Sequence, residues 1–180
     1  MLAAVNTIMN RREWAMLVTL SVLWGGSFFF AEIALESLPP LTIVTLRVGL
    51  AAITLWLVVL ALKLPIPNSP PIWIAFFTMG LLNNVLPFSL IVWGQSQISS
   101  GLAAILNATA PLFGVIVAGI LLRDESATPL KITGVVIGFA GVIVMMDLSS
   151  IATSSLLAQL AILAAALSYA CASVYGRRFK

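Results

Sequence analysis

Residues 41–62 read LTIVTLRVGLAAITLWLVVLAL, and their second half, Ala51 to Leu62, carries no charge on any side. A strand half-exposed to water would alternate polar and apolar residues, and a membrane barrel would do so in segments of about ten. This stretch does neither. A helix rises 1.5 Å per residue, so about 20 apolar residues cross the roughly 30 Å of hydrocarbon in a bilayer. Leu41 to Leu62 has that length, with Arg47 as its single charge. On either side of it, Trp14 to Leu35 is similar and holds one charge, Glu32, while Ile72 to Trp93, Gly101 to Leu122 and Leu156 to Gly176 hold none. Leu130 to Met146 is shorter; its only charge, Lys131, lies at the end, where a long side chain reaches the headgroups. The expected fold is therefore an all-α polytopic membrane protein of six transmembrane helices.

Composition agrees. Of 180 residues 61% are hydrophobic and 8% charged, against the quarter or so that a soluble domain spends on charge. Mean hydropathy is +1.13. The net charge of +3 could suggest nucleic acid, but no basic run exceeds two residues, so no phosphate-tracking stripe exists and no nucleic-acid partner is expected. There is no histidine, and the only cysteine, Cys171, lies in an apolar stretch. A disulfide framework, a cysteine zinc site and histidine-based acid–base chemistry are excluded, and no cofactor or metal is expected. The carboxylates Glu32, Glu36, Asp124, Glu125 and Asp147 fall on different sides or in loops, which argues against an intramembrane aspartyl hydrolase. The sequon Asn107-Ala108-Thr109 lies within a span and is not a glycosylation site.

The connections are short and carry turn residues: Glu36 to Pro40, Lys63 to Pro71 with four prolines, Gly94 to Ser100, Arg123 to Pro129, and Asp147 to Ser155. With the amino terminus in the cytoplasm, Arg11, Arg12, Lys63, Arg123, Lys131, Arg177, Arg178 and Lys180 all fall on the cytoplasmic side, and the outer loops receive no basic residue. That bias is the positive-inside pattern. It places both termini in the cytoplasm and explains the basic pI of about 9.5. Residues 1–13 have no apolar core, so the first span is expected to serve as an uncleaved anchor in the cell (inner) membrane.

Candidate functional residues are the polar and aromatic side chains at depth. Asn83 and Asn84 sit near the centre of the third span, followed by Pro87; Asn107 and Thr109 sit in the fourth, followed by Pro111. A proline removes one amide donor and frees a carbonyl one turn back, and irregular backbone at depth is tolerated where it lines a cavity. The competing reading is hydrogen bonding between helices, worth about 0.6 kcal/mol per contact. Trp24 and Tyr169 lie far from either interface and suit a cavity wall, or plain packing. Arg47 lies roughly 9 Å below the outer surface by helical rise, where an unpaired charge costs about 2.5–3.5 kcal/mol if it approaches the centre. It should face the bundle, a polar cavity or Glu32, as a substrate anchor, a gate or half of an ion pair. Glu32, as the only acid within a span, is the candidate for proton coupling, with a structural role as the alternative. Gly134 and Gly138, continued by Gly141, form a small-xxx-small stripe that admits a close helix neighbour.

Four stretches, taken in order, resemble the EamA-like part of the drug/metabolite transporter superfamily: Leu23-Trp24-Gly25-Gly26-Ser27-Phe28; Pro39-Pro40 with Arg47 entering span two; Pro111 with Leu121-Leu122-Arg123-Asp124-Glu125; and Gly134 through Gly141. The resemblance implies a carrier of small organic solutes built from two inverted five-helix repeats, ten helices in all. It also implies an arginine in span two and a glutamate after span four, positions filled by Arg47 and Glu125, the latter fixing the cytoplasmic end of span four. Five is odd, so the sixth span enters the membrane from the opposite side to the first. Ser21 to Ser27 (SVLWGGS) and Ala166 to Ala172 (ALSYACA) then align Trp24 with Tyr169. Residues 1–13 are read as a cytoplasmic segment, 14–147 as the first repeat, and 148–180 as an outer loop and the first helix of an incomplete second repeat. The expected partners are the lipid bilayer, a small solute and a second chain supplying the missing helices. The alternative is a non-transporting assembly partner or an inert truncated product.

Overall fold

The structure, a computed structural model, describes residues 9–122, 128–145 and 155–179. Among them there is no strand. The first two rods are α1 (Arg11–Leu35) and α2 (Pro40–Ala61). The third is α3 (Pro70–Gly80), a π-helical turn at Leu81–Val85, and α4 (Leu86–Gln95). The fourth is α5 (Ser100–Asn107) and α6 (Ala110–Leu121); α7 (Pro129–Met145) and α8 (Ser155–Gly176) complete the set, with a 3₁₀ turn at Arg177–Phe179. Five of these rods are long and apolar enough to cross a bilayer, and α7, with 17 residues, is a shorter apolar helix. The chain is an all-α polytopic integral membrane protein.

Local chemistry sets the ends. Asn10 caps α1 reciprocally: its Oδ1 accepts from the Glu13 amide at 2.9 Å, and its own amide donates to Glu13 Oε2 at 2.6 Å. Prolines open α2, α3 and α7, at positions whose amides have no intrahelical partner anyway. α2 ends in a Schellman turn, with the Lys63 amide on Leu60 O, the Leu64 amide on Val59 O, and Lys63 itself at φ 50°.

The core is assembled on α8. Ala158, Ala161, Ile162, Ala165, Ala166, Ala170 and Ala172 are buried there, and Ile162 and Ala165 pack with Ile91, Ala103 and Leu106 of α4 and α5. Small side chains let the backbones approach, as bilayer packing favours. A Cβ on Gly94 would stand 2.8 Å from Ile162 Cγ1 and 3.1 Å from the Ala158 carbonyl oxygen. By contrast α1 and α2 bury only Ala31 and Val44 and turn apolar surface outward. The glycine stripe of α7 is used at one position: a Cβ on Gly138 would lie 2.8 Å from the Leu112 methyls, whereas Gly134 and Gly141 have open space beside them. The close approach thus falls on Gly138 and not on Gly134, because Leu112 of α6 lies against the former only.

Trp56 near the end of α2 stacks on Trp73 near the start of α3, with centroids 6.4 Å apart and planes 9° from parallel. Phe76 stacks on Phe179, which also meets Tyr175. This aromatic group gathers the end of α2, the start of α3 and the end of α8 on one side of the bundle. Amphipathic rings of this kind settle at a membrane interface.

Candidate functional site

Hydroxyls within the spans mostly satisfy themselves. Ser21, Thr45, Thr54, Thr78 and Thr133 donate to the carbonyl four residues back at 2.7–2.9 Å. A buried amide has more hydrogen-bonding groups than this local device covers. Asparagines at depth therefore mark where the bundle must offer another partner or a cavity.

A cavity of about 740 Å³ opens between α1, the π turn, the α5–α6 junction and α8. Trp24, Asn83, Asn84, Asn107, Pro111 and Tyr169, singled out above, all line it, together with Gly25, Phe28, Phe88, Ala104, Ala108, Ala110, Gly114, Ala170 and Ser173. The volume falls in the usual range for small-molecule sites, and an apolar wall with a few polar groups is their common make-up. A narrow recess of about 10 Å³ adjoins it, sharing Trp24, Phe28, Phe88, Asn107 and Tyr169 and adding Ser27, Arg47, Ile91, Val92 and Gln95.

Both proline-bearing spans break at this cavity. Pro87 is the second residue of α4 and is fully buried; the five residues before α4, Leu81–Val85, form the π turn that carries Asn83 and Asn84. π turns concentrate at functional sites because the extra residue re-aims side chains without ending the helix. At the other break, Ala108 and Thr109 turn between α5 and α6, with the Thr109 amide on Leu106 O at 3.2 Å and its hydroxyl on the same oxygen at 2.6 Å. Pro111 follows, and the Asn107 carbonyl, one turn back, loses the amide that an unbroken helix would supply.

Arg47 and Glu32 go to different partners. The Arg47 guanidinium lies 4.2 Å from the centroid of the Phe88 ring, a cation–π contact that holds it beside the recess. Glu32 accepts from Ser100 at the first turn of α5: from the amide at 3.4 Å and from the hydroxyl through a short contact. A carboxylate at a helix N-terminus is stabilised by the unpaired amides there, so Glu32 ties α1 to α5. This is a structural partner for the acid singled out for coupling. Glu125 lies outside the described residues.

By sequence Gln95 and Ser100 fall in the connection Gly94 to Ser100 between the third and fourth spans. The structure instead runs α4 through Gln95 and starts α5 at Ser100. Gln95 is 5% exposed; its Nε2 donates to the Phe28 carbonyl at 2.9 Å. Gln95 Oε1 and Asn107 Oδ1 are buried and have no donor among the described residues. Buried acceptors are normally paired, so two of them beside Arg47 form a site able to take N–H or O–H donors from a solute. The missed signal was Gln95 itself, a long amide at the edge of an apolar run. Phe88 was missed because an aromatic residue in a span is ordinary.

Comparison with known proteins follows the same segment of chain. The profile of the EamA-like transporter family matches residues 12–147. Protein PagO of Salmonella typhimurium is 32% identical over 122 residues, which are 68% of this chain and 39% of that protein. The uncharacterized inner membrane transporter YedA of Escherichia coli K12 is 31% identical over 163 residues, 90% of this chain and 52% of its own length. An uncharacterized transporter of Archaeoglobus fulgidus is 29% identical over 138 residues, 76% of this chain and 48% of that protein. The chain spans about half the length of the curated relatives it matches. No solved structure matches it.

Proposed function

The chain belongs to the EamA-like transporter family, and on that premise we propose that its cavity is half of the solute site of an alternating-access carrier for small organic molecules. Family and relatives' names point to membrane transport and away from an enzyme. The observation that carries the reading is the convergence of Asn83, Asn84, Asn107, Trp24 and Tyr169 on one cavity between two broken helices. In carriers of inverted-repeat design, discontinuous helices meet at the solute site near the midplane. Residues 14–147 form the first five-helix repeat, and α8 begins the second. The aromatic walls receive the apolar body of the solute, the amides hold its polar groups, and Arg47 orients an anionic group or gates the outer side.

The purified chain provides the test. A panel of organic acids, amino acids, nucleosides and amphiphilic drugs is screened by thermal unfolding in detergent, where a solute bound to the folded state raises the midpoint, by about 2.7 kcal/mol of stability at a hundredfold excess over Kd. At least one class should do so. If none shifts the midpoint, the cavity is not a solute site.

The basic residues support an inner-membrane orientation with both termini in the cytoplasm. A green fluorescent protein fused after Lys180 should fluoresce in bacterial cells, and alkaline phosphatase at the same place should stay inactive. The reverse pair of results would invert the topology.

A further inference from the structure

We propose that Ser168 is a positioning residue of this cavity, holding the π turn so that Asn83 and Asn84 face it; the functional meaning rests on the solute-site reading, the geometry does not. In an α-helix a carbonyl accepts from the amide four residues on, in a π turn from the fifth. The Leu86 amide donates to Leu81 O, which is the π register. Leu82 O, next in that register, would need the amide of residue 87. Pro87 has none, and its α-register donor, Leu86, is already committed. The Ser168 hydroxyl donates to this carbonyl at 2.7 Å from α8. Ser168 thus supplies the bond that proline removes and fills a need created by the π register itself.

The neighbour of Ser168 is Tyr169, which lines the same cavity. Two adjacent residues of α8 therefore set an aromatic wall and the amides beside it, and a displacement of α8 would reach Asn83 and Asn84 directly. Without the hydroxyl, Leu82 O is better served in the α register, where it takes the Leu86 amide. That shift by one residue turns the chain before it by about 100° relative to α4.

Cysteine reactivity reads this geometry without any solute. In a Cys171→Ala background, which leaves no other thiol, cysteine is placed at Asn84 or, as a reference on the facing wall, at Ala104. Reaction with a small methanethiosulfonate reagent is timed for each. Ser168→Ala should change the Asn84→Cys rate about tenfold, the scale of one lost hydrogen bond, and leave Ala104→Cys nearly unchanged. Ser168→Thr and Ser168→Val have the same shape and differ in the hydroxyl. The threonine variant should behave as the parent and the valine variant as Ser168→Ala, which also serves if alanine disturbs folding. Equal rates with and without the hydroxyl, parallel changes at Asn84 and Ala104, or threonine and valine behaving alike would overturn the role. A failed solute screen leaves these rates standing, and unchanged rates leave the screen standing, so the two readings fail separately.

Discussion

Gly94→Ala lowers the stability of the folded chain by about 1–3 kcal/mol, the usual cost of forcing a methyl into a filled site. Two of the atoms that the new methyl would meet belong to the Ile162 side chain, which is fully buried and has nowhere to turn. The third is the Ala158 carbonyl oxygen at 3.1 Å, which moves only with α8. Unfolding in increasing dodecyl sulfate, followed by helix content, measures the loss. Gly94→Ala combined with Ile162→Ala should cost less than the sum of the single changes, since shortening Ile162 makes room. Strict additivity, or a Gly94→Ala chain as stable as the parent, would show that α4 and α8 do not meet here.

Asn107→Leu separates binding from stability. For a solute that shifts the unfolding midpoint, affinity should fall by a factor of about 5–150, the range expected when a bonded polar partner of 1–3 kcal/mol is removed. Stability in the absence of solute should hold or rise, because Asn107 Oδ1 is a buried acceptor with no donor among the described residues and leucine removes its desolvation cost. A purely structural asparagine gives the opposite pattern: unchanged affinity, or a chain weakened in the absence of solute. Arg47→Lys should not rescue binding of anionic solutes, since a flat guanidinium stacks on Phe88 in a way an ammonium does not.

The six rods were legible because the bilayer imposes length and polarity together. Trp14 to Leu35 became Arg11–Leu35, and Leu41 to Leu62 became Pro40–Ala61; the small differences are capping and proline effects at the ends. The mid-depth residues were legible as a set by elimination, since an amide in hydrocarbon needs a partner wherever it is. What stayed hidden depends on rotation and register. Pro87 announced a disturbed helix, but not that it would take the form of a π turn whose Leu82 carbonyl accepts from Ser168, 86 residues further along the chain. Gln95 falls in a connection by sequence, because one polar residue at a span's edge does not reveal whether the helix goes on. Arg47 could have faced Glu32 by depth alone, yet the α5 terminus, invisible in a hydropathy profile, draws the carboxylate to Ser100. Gly138 and Gly134 are identical in pattern, and only the position of Leu112 distinguishes them.

Among the described residues α8 furnishes seven of the fourteen buried hydrophobic side chains, yet it leaves the ribosome after the helices it packs against. Until it does, Ile91, Ala103 and Leu106 have no Ile162 or Ala165 to pack against. The earlier hairpins must then wait in the lipid as loosely associated pieces, and this interior closes only when α8 slides between them. Closure of this core is in that sense timed by translation of the alanine-rich helix, and quality-control proteases have their window before it.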